Sequence, residues 1–85
     1  MSKELAEQLT NNDINAFNAI YWMYHAAIYS NVLKLTRDVV ATEDIVQEVF
    51  VSLWEKRSTI KPEQGVGGWL FVVSYHKSIT YLKIK

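Results

Sequence analysis

TEDIVQEVFVSLWEKR, residues 42–57, separates into two faces when wound at about 100° per residue. Val46, Val49, Phe50 and Leu53 form an apolar stripe, flanked by Ile45 and Trp54, that has to be buried. Asp44, Gln47, Glu48, Val51 and Glu55 fall on the opposite side, giving an acidic stripe with one valine that the core does not need. Glu43 and Asp44 sit where carboxylates suit the positive end of a helix, and Lys56 and Arg57 are expected in its last turn. Thr42 is the favoured cap, with Ala41 or Asp38 as alternative starts. An acidic stripe is ordinarily just a solvated helix face. Here, however, five acids lie between Asp38 and Glu55 with no Lys or Arg, and a bland surface helix of that length usually carries a compensating i, i+4 lysine.

On either side of this stretch the chain reads as helix. Ser2 to Thr10 predicts a short helix with Leu5 and Leu9 facing the core, and Asn11-Asn12-Asp13 a turn capped by Asp13. From Ile14 to Thr36, the residues Phe17, Ile20, Tyr21, Tyr24, Ile28, Val32 and Leu35 share one stripe. Trp22, Tyr29 and Leu33 make a second stripe, to be covered by the short first helix or offered to a partner. Arg37 to Ala41 is a short connection and so implies a tight corner.

All three glycines and the only proline lie in PEQGVGG, residues 62–68. The Gly-Lys-Ser/Thr ending of a nucleotide-binding loop is missing. What remains is a plain connector or a loop whose amides approach a DNA phosphate or an extruded base. Trp69 to Tyr75 has strand-forming composition, but no second strand exists to satisfy its backbone, so Gly68 to Lys85 is read as a helix. Leu70, Val73, Tyr81 and Ile84 share one side of it, and Phe71, Tyr75 and Leu82 another. From Val66 onward there is no acid, while His76, Lys77, Lys83 and Lys85 interleave with Trp69, Phe71, Tyr75 and Tyr81. Aromatic faces beside lysines suit single-stranded nucleic acid, although several of these rings are also needed as core.

Composition bounds the function. A chain of 85 residues, 49% hydrophobic and 21% charged, is one globular domain with little stability to spare. Net charge is zero, so DNA contact has to come from a local patch. Absence of cysteine excludes disulfides and thiolate metal sites, and fits a reducing cytoplasm. No apolar leader or run long enough to span a bilayer is present, so no membrane partner is expected. His25 and His76 have no companion ligands and no nucleophile–base set is apparent; no metal, cofactor or enzymatic activity is expected.

DIVQEVFVSLWEKR resembles region 2.2 of bacterial sigma factors, in the extracytoplasmic-function (ECF) group of the sigma-70 family. DINAFNAIYWMYHAAIY, from Asp13, is similar to region 2.1, and GWLFVVSYHKSITYLK, from Gly68, to regions 2.3 and 2.4. The likeness covers about residues 5–83. It implies an all-α bundle of three main helices plus a short N-terminal one. It also implies docking on the β′ clamp helices of RNA polymerase core through Asp44, Gln47, Glu48, Val51 and Glu55. Capture of the non-template strand of the minus-ten promoter element is implied at Gly65, Gly67, Gly68, Trp69, Tyr75, His76, Lys77 and Lys83. An anti-sigma protein is a further implied partner.

The last helix departs from the family pattern. Tyr75-His76 stands where Arg-Asn is usual, Thr80 where an Asp is usual, and Lys83 where an Arg is usual, although Trp69, His76, Thr80 and Lys83 still share one stripe. The family normally carries a second, helix-turn-helix domain for the minus-thirty-five element; nothing here resembles it, and a truncated chain is expected. The competing reading is a helical protein-interaction module that never touches DNA.

Overall fold

The computed structural model describes residues 13–60 and 65–84. The predicted Ser2–Thr10 helix, the first two residues of the turn and the Pro62–Gln64 part of the glycine-rich segment lie outside them. The fold is all-α, with three helices that pack pairwise on one another: α1 (Ile14–Thr36), α2 (Val39–Glu55) and α3 (Val66–Ile84). At about 1.5 Å per residue, α1 alone accounts for most of the 37 Å long axis.

Helix α1 starts as the sequence predicts. The Asp13 carboxylate accepts from the amides of Asn15 (2.9 Å) and Ala16 (3.4 Å), supplying acceptors that the first turn lacks. It ends at Arg37, whose backbone is left-handed (φ 54°, ψ 30°) and whose amide donates to the Leu33 carbonyl at 2.8 Å. A non-glycine residue in that conformation is strained, and the following corner holds it there. The connection proves to be only Arg37 and Asp38, not Arg37 to Ala41, because α2 begins two residues later.

Asp38, not Thr42, caps α2, accepting from the Ala41 amide at 3.1 Å. Thr42 is buried in the helix, its hydroxyl 2.7 Å from that of Thr36. Thr36 Oγ1 also accepts from the Asp38 amide (3.2 Å) and donates to the Asp38 carbonyl (3.3 Å), so the corner is closed by a small buried polar network. Lys56 caps the C-terminal end of α2, and Arg57 opens a 3-10 turn over Arg57–Thr59, so neither basic residue lies in the last helical turn as expected. Arg57 instead stacks on Trp54, guanidinium carbon 4.0 Å from the ring centroid, and donates to the Trp54 carbonyl.

The core forms between α1 and α2: Ala16, Ile20, Ile28 and Val32 face Ile45, Val46, Val49, Phe50 and Leu53. Ile60 closes one end, and α3 adds Val66 and Leu70. Further along α3 the buried positions are Ser74 and Ser78, whose hydroxyls bond back to the carbonyls of Phe71 (3.0 Å) and Ser74 (2.8 Å). Small side chains with internally satisfied hydroxyls let α3 lie close against its neighbours without an unpaired polar group.

The face of α3 therefore differs from the expected one. Leu70 is core and Val73 and Tyr81 pack against it, but Ile84 is 80% exposed; Phe71, Tyr75 and Leu82, which share another side, are all exposed. Gly67 and Gly68 are not loop residues either: they belong to the first turn of α3, and only Gly65, at φ 77°, has turn backbone.

Candidate functional site

The acidic stripe follows from how α2 is clamped. With Thr42, Ile45, Val46, Val49, Phe50 and Leu53 all inward, helical geometry turns Asp44, Gln47, Glu48, Val51 and Glu55 outward, and all five are exposed. Val51 is 56% exposed, an apolar side chain in the middle of carboxylates with no packing role. Two grooves border the stripe. On one side, Phe17, Tyr21, Phe50 and Trp54 join Gln47 and Val51 around an almost wholly apolar hollow of about 300 Å³. Phe17 meets Trp54 edge-on at 5.5 Å, and Tyr21 meets Phe50 at 4.9 Å, so the hollow has rigid aromatic walls. The part played by Phe17 and Tyr21 was hidden in the sequence, where both read simply as core.

On the other side α3 runs alongside, and Lys77 enters the groove that holds Asp44, Glu48 and Glu55. The same lysine lines the adjoining groove towards Asp38 and Tyr81, whose hydroxyl is 3.4 Å from the Asp38 carboxylate.

The remaining predicted DNA residues lie elsewhere on α3. Trp69 packs against the core at the start of the helix, with His76, Thr80 and Lys83 exposed along the same line. Tyr75 is exposed beside His76, ring centroids 6.1 Å apart. Gly65 and Gly68 have open space around their α-carbons, whereas Gly67 is pressed against Tyr24, where an added β-carbon would come within 2.7 Å of the phenol oxygen. The first-turn amides of α3 have no carbonyl within the helix to bond. The first turn bond of α3 runs from the Trp69 amide to the Gly65 carbonyl, at 3.4 Å.

Sequence reasoning missed what α1 adds here. Asn31 and Lys34 stand next to Phe71 and Tyr75 across a mostly apolar groove of about 330 Å³. The only sequence signal was a cation in the last turn of α1, which nothing linked to α3.

Of the second aromatic stripe on α1, Trp22 is 77% exposed while Tyr29 and Leu33 are half-buried. His25 is flanked on the helix by Tyr21 (centroids 4.7 Å apart) and Tyr29 (6.3 Å), an aromatic row and not a ligand set. Among the described residues no group of three His, Cys, Asp or Glu is placed to hold a metal ion, and no helix is long and apolar enough to cross a membrane.

Comparison with known proteins gives three consistent findings. A family model described as Sigma-70 region 2 matches residues 20–84. The chain is similar to the ECF RNA polymerase sigma factor SigK of Mycobacterium sp. strain KMS, 24% identical over 76 residues that make up 88% of this chain and 39% of that protein. It is also similar to the ECF RNA polymerase sigma factor SigX of Bacillus subtilis strain 168, 25% identical over 67 residues, or 79% of this chain and 34% of that one. It thus spans less than half the length of these relatives. Among solved structures, an engineered region 2 of sigmaE in complex with GTAAAA superposes with a TM-score of 0.87 at 21% identity, covering 99% of this chain and 87% of that one. At that identity the match speaks for the fold.

Proposed function

The chain belongs to the sigma-70 region 2 family, as the region 2 domain of an ECF sigma factor, and from that premise we propose that it docks on RNA polymerase core and opens promoter DNA in the cytoplasm. The observation that carries the docking half is the outward stripe Asp44–Gln47–Glu48–Val51–Glu55 on a helix whose other side is fully committed to the core. Carboxylates around one exposed valine, bordered by a rigid apolar hollow, suit a basic helical surface that brings an apolar side chain. The β′ clamp helices are that surface in this reading.

The DNA half rests on α3. The Trp69–His76–Lys83 line, Tyr75 and the amides of Gly65, Gly67 and Gly68 offer aromatic faces, cations and donors to a displaced strand, and Lys34, across a groove from Phe71, extends this face onto α1. Holding the non-template strand of the minus-ten element open draws an existing melting equilibrium towards the open state, with no chemical step. With so few cations the isolated domain binds the strand weakly, and docking supplies affinity by raising its effective concentration. The exposed Trp22 surface is proposed as the seat of an anti-sigma protein.

Glu48→Lys tests the docking half. The side chain is exposed, so helicity stays unchanged, while a like charge facing a basic partner costs on the order of several kcal/mol. Binding of a β′ clamp-helix fragment is expected to be lost. A variant that folds and binds as well as the parent would reduce the stripe to a solvated face and leave a helical adaptor as the better reading.

A further inference from the structure

We propose that Lys77 is a built-in counter-ion of the docking face: its ammonium offsets the carboxylates of α2, competes with the cations of the partner and so weakens docking. The inference rests on the polymerase-docking reading above. It begins from an anomaly in the sequence. Helix α2 has acids at Glu43, Asp44, Glu48 and Glu55 and no Lys or Arg along its length, so none of its carboxylates has a cation one turn away on the same helix. The structure supplies that cation from another helix. Lys77 of α3 is half-buried and lines the grooves containing Asp44, Glu48 and Glu55 on one side and Asp38 on the other.

The other cations on α3 do not share this position. At about 100° per residue, Lys77 is a quarter-turn from His76 and about a third of a turn from Lys83. A strand lying along Trp69, His76 and Lys83 therefore runs over a face that Lys77 does not occupy. One cation in that groove cancels part of a field otherwise built from three carboxylates of its own chain. When a basic partner arrives, the carboxylates turn to its cations and Lys77 becomes a like charge at the rim. Such a charge acts mainly on the association rate, lowers affinity and is screened by salt.

Lys77→Met keeps the apolar stem and removes the charge. The expected result is binding to the clamp-helix fragment about three- to ten-fold tighter at low salt, a gain that fades as ionic strength rises towards about 0.5 M. Docking that is equal or weaker, or a gain that does not fade with salt, overturns the proposal. A second measurement needs no polymerase. In the free chain, the paired changes Asp44→Asn and Glu48→Gln should move the Lys77 side-chain Cε and Nζ resonances and leave those of Lys83 in place. Unmoved Lys77 resonances overturn the counter-ion assignment. If the parent itself fails to bind the fragment, the docking reading fails, and the resonance measurement still decides the position of Lys77.

Discussion

Adjacent glycines in the first turn of α3 should respond in opposite directions to the same substitution. Replacing a helical glycine by alanine removes backbone freedom from the unfolded chain and is worth about 0.4–1 kcal/mol where the new methyl fits. At Gly68 it fits, because nothing lies within 4 Å of the added β-carbon. At Gly67 the methyl would stand 2.7 Å from the Tyr24 phenol oxygen and 2.9 Å from two ring carbons. Those separations fall short of ordinary contact, and Tyr24 is itself half-buried with Phe71 edge-on at 6.4 Å, so the ring has limited room to retreat. Overpacking of this kind costs about 1–3 kcal/mol. Subtracting the entropic gain leaves Gly67→Ala destabilising by about 1–2 kcal/mol while Gly68→Ala stabilises by about 0.5–1. In a domain of this size each kcal/mol is about 4–8 °C in Tm. Thermal melts of the two variants followed by circular dichroism should therefore bracket the parent and differ by about ten degrees or more. In a Tyr24→Ala background, Gly67→Ala should turn stabilising, since the obstructing ring is gone. Equal melting temperatures for the two variants, or no change of sign in that background, would refute the close approach of α3 to Tyr24. Strand binding gives a separate reading: if Gly68 is needed for DNA to come near, Gly68→Ala will melt higher and bind an oligonucleotide less well.

Phe50→Ala removes a core ring that also borders the apolar hollow, and calorimetry should show a loss of about 3–5 kcal/mol; an unchanged Tm would mean α2 is turned the other way. Thr36→Val strands the fully buried Thr42 hydroxyl and should cost about 1–3 kcal/mol in urea unfolding, more than Thr42→Val, which leaves Thr36 still bonded to Asp38. The reverse order would show that the corner network is mis-assigned. Lys83→Glu should leave clamp-helix binding at the parent level, weaken oligonucleotide binding and lower its salt slope by about one; normal promoter melting by this variant would remove Lys83 from the DNA face.

How far the fold could be read from the sequence depended on how unevenly each helix is buried. Helix α2 has one wet side and one dry side, so its apolar period alone placed Val46, Val49, Phe50 and Leu53 inward, as the structure does. The bounds of α1 were legible because Asp13 is a cap that acts on its own nearest amides. The start of α2 was less so: Thr42 has the right chemistry for a cap, but its hydroxyl is taken by Thr36, a contact that exists only once the corner has closed. Helix α3 yielded to the periodic reading only in part: Leu70, Val73 and Tyr81 do turn to the core, and Ile84 does not. Apolar and aromatic residues occur almost all round it, and the line that is buried contains Ser74 and Ser78, chosen for small size and internal bonding in place of hydrophobicity.

The candidate site divides in the same way, and Lys77 shows why. Charge segregation along a single helix survives as a surface feature, so the acidic stripe of α2 could be read directly and every one of its five residues is exposed. His76 and Lys77 were grouped in the sequence as parts of one basic end, and as neighbours on a helix they point about 100° apart. The structure leaves His76 with the Trp69–Lys83 line and places Lys77 in the groove lined by Asp44, Glu48 and Glu55. The missing lysine of α2 and the surplus lysine of α3 are thus one feature seen from two helices. A partner selected by the acidic stripe meets a face whose charge is set by both, so affinity can be adjusted at position 77 without touching a residue that faces the partner directly. On the docking reading proposed above, changes there should act mainly on how fast the domain docks and on how that rate responds to salt.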